Sequence, residues 1–167
     1  AYNLGIACAR AGKRTLIIEA NLRSPSYCES LGVSLDPDAT LEPLRYYGSL
    51  GECIRLVPEI ENLYIVPSPG PVRNSAAILE SSEMRRLMED VRARFDFVIL
   101  DSNPLGLSND ALLIQPYSDG MILVARPNTT QENVFGEAVD QLVESEMGLI
   151  GAVVNGAEDI IVTSQAV

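Results

Sequence analysis

The chain has 167 residues, a formal net charge of −11 and no histidine. This length suits one domain with a core of its own. The negative charge excludes a general nucleic-acid binder, which needs clustered lysine and arginine to contact phosphates. The lack of histidine excludes histidine-dependent triads and histidine metal sites. Three widely spaced cysteines without a C-x-x-C pair are typical of a reduced intracellular protein.

The first half of the sequence alternates helix and strand signals. Small and apolar residues recur at helical spacing over residues 2–11, and Gly12 supplies a C-terminal cap. The stretch TLIIE, residues 15–19, predicts a buried strand, and residues 63–67 predict a second one. Residues 24–60 are rich in proline, glycine, aspartate and serine, so we expect irregular structure with one or two short helices.

The second half continues this alternation with three helices and three strands. The helices are expected over residues 75–94 (starting at Ser75 or Ser81), 109–115 and 130–146. The strands are expected over residues 95–101, 120–126 and 149–155, and no apolar run reaches the roughly 18 residues of a membrane span. Five strands alternating with helices predict an α/β fold, a doubly wound, mainly parallel sheet with helices on both faces. We expect one domain over residues 1–167, with an irregular tail at 156–167.

Most of the predicted strands end in a polar residue. In a doubly wound sheet, ligands bind beyond the carboxyl ends of the strands. The residues at these ends are Glu19, Pro67, Asp101, Arg126 and Asn155. Two acids, a cation and an amide at one edge are more than packing requires, so we expect a functional site there.

Asp101 is the clearest candidate in this site, because four apolar residues run directly into it. A carboxylate at the end of a buried strand can hold Mg²⁺, directly or through water, beside a phosphate. The alternative is that Asp101 caps the following turn. Glu19 can polarise an attacking hydroxyl or bind the water shell of the metal, or it can form a structural ion pair with Arg23.

Three more residues are candidates for contacts with a nucleotide. Arg23 can meet a phosphate or point to solvent, and Arg126 is a second cation at a strand end. The amide of Asn155 suits an adenine edge, although Asn155 and Gly156 can also form a simple turn. The sequence contains no G-x-x-x-x-G-K-[ST] phosphate-binding loop, and Lys13 is its only lysine.

Several blocks of the sequence carry a family resemblance. The segment AYNLGIACARAGKRTLIIEANLRSPS, from residue 1, ends in a stretch that resembles the Walker A′ motif h-h-h-D-x-D-x-R-x-P. The segment FDFVILDSNP, from residue 95, resembles the Walker B motif h-h-h-D-x-P-P. The blocks NDALL, DGMILVARPNTT and GAVVNG follow in the expected order. Together they resemble the bacterial tyrosine kinases of the Wzc/CpsD/CapB type, in the MinD/ParA-like branch of the P-loop ATPases, over nearly the whole chain.

The resemblance implies roles for the residues at the matching positions. Asp101 would be the Walker B ligand of Mg²⁺. Glu19 falls on the first A′ acid, which would help to deprotonate the acceptor tyrosine and bind the metal. Asn21 falls on the second A′ acid, Arg23 on the A′ arginine and Asn155 on the asparagine beside adenine.

The resemblance also implies a function for the intact protein. It would be a cytoplasmic tyrosine autokinase that uses ATP and Mg²⁺ and regulates the chain length and export of capsular polysaccharide or exopolysaccharide. Its partners would be an inner-membrane polysaccharide co-polymerase segment or activator and the tyrosine-containing tail of a neighbouring subunit in a homo-oligomer. We expect the chain to begin just after the P-loop and to lack the first strand, so that alone it would be inactive and would not bind ATP appreciably.

Departures from the family pattern keep other functions open. Both A′ aspartates are replaced, by Glu19 and Asn21, and an asparagine cannot carry a negative charge or accept a proton. Walker B reads DSNP, and all six tyrosines lie within the domain. The alternatives are a non-catalytic nucleotide-binding or regulatory module of a polysaccharide co-polymerase, or a MinD/ParA-like ATPase.

Overall fold

The computed structural model describes residues 1–33, 53–68, 70–144 and 148–157. The chain divides into two compact units, Ala1–Tyr117 and Ser118–Val167, so that one domain over the whole length stays a prediction. Most of the predicted tail lies outside the described residues. Within the described ranges, no helix has the length and apolar character needed to cross a membrane.

The first unit alternates strands and helices as predicted. Its strands are β1 (Thr15–Glu19), β2 (Arg55–Leu56), β3 (Leu63–Val66) and β4 (Phe97–Asp101). Its helices include α1 (Tyr2–Arg10), α2 (Tyr27–Ser30), α3 (Ser75–Leu79), α4 (Ser82–Arg92) and α5 (Asp110–Ile114), with a 3₁₀ turn at Gln115–Tyr117. Gly12 follows α1 with a φ of 76°, the left-handed conformation expected of a glycine cap.

Strand β1 lies at the centre of the sheet. The strand order is β2-β3-β1-β4, in which β1 runs parallel to both β3 and β4, and β2 runs antiparallel to β3. The side chains of β1 are at most 2% exposed, which explains its run of branched apolar residues. The sequence did not predict β2, because two residues are too few to show an alternating pattern. The sheet is therefore mainly parallel, as predicted, with one short antiparallel strand at its edge.

Helices pack on both faces of this sheet. Leu16 and Ile18 point to one face, where they pack with buried residues of α3 and α4: Ile78, Leu79, Met84, Leu87, Met88 and Val91. Ile17 points to the other face and packs with Ala9 of α1. Gly5 lets α1 lie close to the sheet, because a Cβ at this position would come within 2.7 Å of Ile17 Cδ1. The predicted arrangement of helices on both faces is confirmed for the first unit.

The helix predicted to end at Arg94 is two helices. The Asn74 side chain accepts a hydrogen bond from Ala77 N at the start of α3. The Ser81 hydroxyl accepts one from Met84 N, at 3.1 Å, at the start of α4. Each cap satisfies a backbone donor that lacks a helical partner, so a new helix begins at each. Both predicted starting points are therefore real, and α4 ends at Arg92.

The second unit contains β5 (Met121–Ala125), α6 (Glu132–Glu144) and β6 (Leu149–Val154). Strands β5 and β6 are parallel, and Ala125 pairs with Val154 in the register. The described strands thus form one sheet of four strands and one of two. Since the two strands of the second unit end side by side, Arg126 and Asn155 follow them at the same edge.

Candidate functional site

Glu19 and Asp101 are neighbours at the carboxyl ends of two parallel strands. Glu19, the last residue of β1, pairs in register with Asp101, the last residue of β4. On the other side of β1, Ile18 pairs with Val66, so Pro67 follows at the same edge. The structure thus brings three of the predicted strand-end residues together in the first unit.

The Glu19 carboxylate joins two loops at this edge. Its Oε1 atom accepts hydrogen bonds from the backbone N–H groups of Ser26, at 2.5 Å, and Tyr27, at 2.9 Å. Its Oε2 atom accepts one from Ser68 N, at 2.8 Å. Glu19 is 2% exposed, so these three donors replace the water that an ionised carboxylate would otherwise need.

Asp101 is half-buried and contacts Tyr27, which is not among the predicted site residues. The hydroxyl of Tyr27 donates a hydrogen bond to Asp101 Oδ2, at 2.5 Å. A turn cap would accept from backbone N–H groups instead, and none of the described residues supplies such a bond. The sequence contains one indication of a role for Tyr27, because it is an aromatic residue in a short polar segment, four positions after Arg23.

Tyr27 is held in its neutral form by its surroundings. It is 9% exposed, and its ring lies 6.3 Å from the ring of Tyr2. Burial raises the pKa of Tyr27 well above its usual value, and the hydrogen bond to Asp101 and the charges of Asp101 and Glu19 raise it further. The tyrosine therefore serves as a hydrogen-bond donor beside Asp101 at neutral pH.

We expect Tyr27→Phe to remove part of the alkaline destabilisation of the protein. Because the pKa of Tyr27 is higher in the folded state than in the unfolded state, its neutral phenol stabilises the folded protein. This contribution is fully present below the unfolded pKa of about 10 and is lost as the pH rises above it. Above pH 10, the free energy of unfolding of the wild type should therefore fall by about 1.4 kcal/mol per pH unit more than that of Tyr27→Phe. Urea unfolding between pH 8 and 11 measures this slope. The control is Tyr64→Phe, which removes a phenol from β3, and equal slopes in wild type and Tyr27→Phe would contradict the prediction.

Arg23 forms an ion pair with Asp110 and not with Glu19. Its Nε atom lies 3.2 Å from Asp110 Oδ2, so the alternative of an ion pair between Arg23 and Glu19 is wrong. The side chain of Asp110 is 3% exposed, whereas that of Arg23 is 50% exposed. Asn103, two residues after Asp101, donates to the same Asp110 oxygen at 2.7 Å. Asp110 is not among the predicted site residues, because an acid at a helix start is ordinarily a cap.

Asn21 shapes the loop between Glu19 and Arg23. Its Oδ1 atom accepts a hydrogen bond from Ser24 N, at 3.2 Å. Asparagine commonly bonds to the backbone of a following turn, and this local role needs no negative charge. The replacement of the second A′ acid by asparagine is therefore compatible with the loop structure.

The second unit contains Arg126 and Asn155. Asn155 N donates to Ala125 O at 2.8 Å, and Arg126 N donates to Thr130 Oγ1 at 2.9 Å. Both side chains are exposed at the end of the two-stranded sheet. Gly156 has a φ of 77°, so the turn considered for Asn155 and Gly156 is present. The nucleotide contacts of Arg126 and Asn155 stay predictions.

The first unit fits Mg²⁺ held together with phosphates better than a metal enclosed by protein. Among the described residues, no group of three or more acidic or cysteine side chains could enclose a metal ion. Mg²⁺ usually takes one or two carboxylates and completes its shell with water and substrate phosphates. Asp101, half-buried beside a second acid at a strand end, meets this requirement.

The known proteins that this chain resembles include bacterial tyrosine-protein kinases. No protein-family model matches the chain. Tyrosine-protein kinase CpsD of Streptococcus agalactiae is 27% identical over 165 residues, which cover 96% of this chain and 70% of CpsD. Tyrosine-protein kinase YwqD of Bacillus subtilis is 29% identical over 157 residues, covering 93% and 65% of the two chains. The succinoglycan biosynthesis transport protein ExoP of Rhizobium meliloti is 28% identical over 160 residues, 93% of this chain but 20% of ExoP.

Solved structures agree with this comparison. The VpsO kinase domain has a TM-score of 0.81 and 26% identity, with 94% of this chain and 76% of that chain covered. The septum site-determining protein MinD of Pyrococcus horikoshii, complexed with Mg-ADP, has a TM-score of 0.68 and 19% identity, with 94% and 64% covered. At that identity MinD shows the fold alone. The fold is that of the P-loop ATPases, as the resemblance implied.

Proposed function

We propose that this chain, a homologue of the bacterial tyrosine kinases of the CpsD, YwqD and Wzc type, is part of an enzyme that transfers the γ-phosphoryl group of ATP to tyrosine. The observation that carries the proposal is the placement of Asp101 beside Glu19 at the ends of β1 and β4. The chain would supply the magnesium-binding side of the site. The intact protein would act in capsule or exopolysaccharide biosynthesis, where it would regulate the chain length and export of the polymer.

The two carboxylates have different parts in this proposal. Asp101 would hold Mg²⁺, which when bound with ATP neutralises charge on the β- and γ-phosphates. The half-buried side chain of Asp101 is the more accessible of the two acids, and the Tyr27 hydroxyl orients it. Glu19 is the proposed base and second metal contact. Since both of its oxygens accept from backbone N–H groups, this role requires at least one loop contact to yield to the incoming hydroxyl or water.

The exposed part of Arg23 is the proposed phosphate contact in the first unit. Its Nε atom is bound by Asp110, while half of the side chain is accessible to a ligand. Arginine suits phosphate because its planar guanidinium offers several donors in a fixed geometry. Asn21, Arg126 and Asn155 complete the proposed nucleotide contacts, in line with the family pattern.

The partners and location that the resemblance implies belong to the same proposal. We propose a homo-oligomer at the cytoplasmic face of the inner membrane, bound to a polysaccharide co-polymerase segment or activator. The substrate tyrosines would lie in the tail of a neighbouring subunit. Nucleic acid is not a proposed partner, since a net charge of −11 repels a phosphate backbone.

A non-catalytic regulatory module is the second candidate function. It is favoured by the hydrogen bonds of Glu19 and Asn21, because both side chains accept backbone N–H groups and so have a structural role in the loops. Such a domain could bind nucleotide, or none, and still change the activity of a co-polymerase.

A phosphorylation assay on the intact protein separates the two functions. We expect incorporation of radiolabelled phosphate from ATP into tyrosine when Mg²⁺ is present. Removal of Mg²⁺ with a chelator should abolish it, and restored Mg²⁺ should recover it. Tyrosine phosphorylation that is absent under all conditions, in a protein that remains folded, would refute the kinase and favour the regulatory module.

A further inference from the structure

A buried carboxylate outside the predicted site joins the two loops that follow β1 and β4. Asp110, the first residue of α5, accepts hydrogen bonds from Arg23 Nε and Asn103 Nδ2 on the same oxygen. The two partners are 87 and 7 residues away in the sequence. Asn103 is itself 6% exposed, so this part of the loop after β4 is nearly closed to solvent.

The charge of Asp110 makes this contact a strong constraint. Burial raises the pKa of Asp110, but hydrogen bonds from Arg23 and Asn103, together with the charge of Arg23, outweigh it and lower the pKa below its usual value. An ionised, buried carboxylate is stable only while its donors remain in place. Asp110 therefore fixes the positions of Arg23 and Asn103.

These two partners flank the acids of the proposed site. Arg23 follows Glu19 by four positions, and Asn103 follows Asp101 by two. The acids themselves are neighbours across β1 and β4. A contact that joins Arg23 to Asn103 thus sets the spacing of the loops that leave the two strand ends.

We propose that Asp110 is a positioning residue for phosphoryl transfer, which acts by fixing Arg23 and the loop that follows Asp101. The effect on rate rests on the proposed kinase function, whereas the effect on the loops does not. A displacement of about 1 Å at a reacting centre can lower a rate roughly 100-fold, so a residue that touches no substrate can still control the rate.

Kinetics of the intact protein test the effect on rate. We expect Asp110→Asn, and separately Arg23→Gln, to lower kcat about 10-fold or more, and the double variant to be no slower than the slower single variant. Arg23→Lys should recover part of the rate. Asp96→Asn is the matched control, since Asp96 accepts a backbone N–H from Arg14 at the opposite end of β4 and should leave kcat unchanged. Single-variant losses that multiply in the double variant, or an unchanged kcat in Asp110→Asn, would overturn the proposal.

Hydrogen exchange provides a second readout that needs no activity. Asp110→Asn should speed amide exchange at residues 21–24 and 102–105 while the centre of β1 stays protected. If the wild type shows no phosphotransfer, the proposed function fails, and exchange alone decides the role of Asp110. Unchanged exchange in both segments would then overturn it. If Asp110→Asn does not fold, Arg23→Gln, at the exposed end of the pair, takes its place in the exchange measurement with the same criterion.

Discussion

Replacing Asp101 with asparagine is expected to reduce tyrosine phosphorylation by the intact protein roughly 100- to 1,000-fold. Asparagine has the same shape, and its carbonyl oxygen can still accept the hydrogen bond from Tyr27. It lacks the negative charge that would hold Mg²⁺ beside the phosphates. The variant therefore separates the charge of the residue from its packing.

The initial rate of phosphotyrosine formation at saturating Mg-ATP measures this effect. Glu61→Gln is the control, because it removes an exposed acid from the turn before the amino end of β3, far along the strands from Asp101. The control should keep the wild-type rate. A rate in Asp101→Asn above a tenth of the wild-type value would show that this carboxylate is not the principal metal ligand.

Replacing Glu19 with alanine is expected to lower the free energy of unfolding by about 3–5 kcal/mol. The substitution takes the acceptor from three backbone N–H groups, two of which, those of Tyr27 and Ser68, are buried. It also leaves space in a region where Glu19 is 2% exposed. Both effects act on the loops that frame the proposed site.

Two conservative variants make this prediction sharper. Glu19→Asp restores the acid found in the family motif but is one methylene shorter, so it cannot reach all three donors from the same backbone. Glu19→Gln keeps the length but presents an NH₂ group to at least one N–H donor. Both should lie between alanine and wild type in urea unfolding followed by far-ultraviolet circular dichroism. A loss below 1 kcal/mol in Glu19→Ala would contradict the anchoring role of this carboxylate.

Local patterns in the sequence were sufficient to predict most helices and strands of the first unit. The apolar runs that precede Glu19 and Asp101 predicted β1 and β4, because buried strands leave few positions for polar residues. Strand β1 is buried along its whole length, whereas β4 is only partly buried and Phe97 is 48% exposed, so the expectation of a buried strand before Asp101 was wrong. The polar residues at their ends then predicted where a site would form. The parallel register of β1 and β4 agrees with that prediction, since it sets the two acids side by side.

Contacts between distant segments could not be predicted in the same way. Arg23 could pair with any acid near it, and the choice of Asp110 over Glu19 depends on how the loops are packed. The contact of Tyr27 with Asp101 spans 74 residues and follows no local period. The break before α4 depends on the side-chain cap at Ser81, which competes with a continuous helix through this serine.

The hydrogen bonds of Glu19 have a consequence for how the site forms during folding. Ser68 N is 49 residues from Glu19, so this bond can form only after β1 and β3 have come together. The entropic cost of closing such a loop is recovered by the burial of both strands, so the bond and the sheet should appear in the same cooperative step. A peptide that contains residues 15–30 would carry the whole A′ motif and two of the donors to Glu19, but it would lack the Ser68 N–H group and the neighbouring strands that bury this acid. The chemistry of this motif therefore requires the assembled sheet and is not a property of the A′ segment alone.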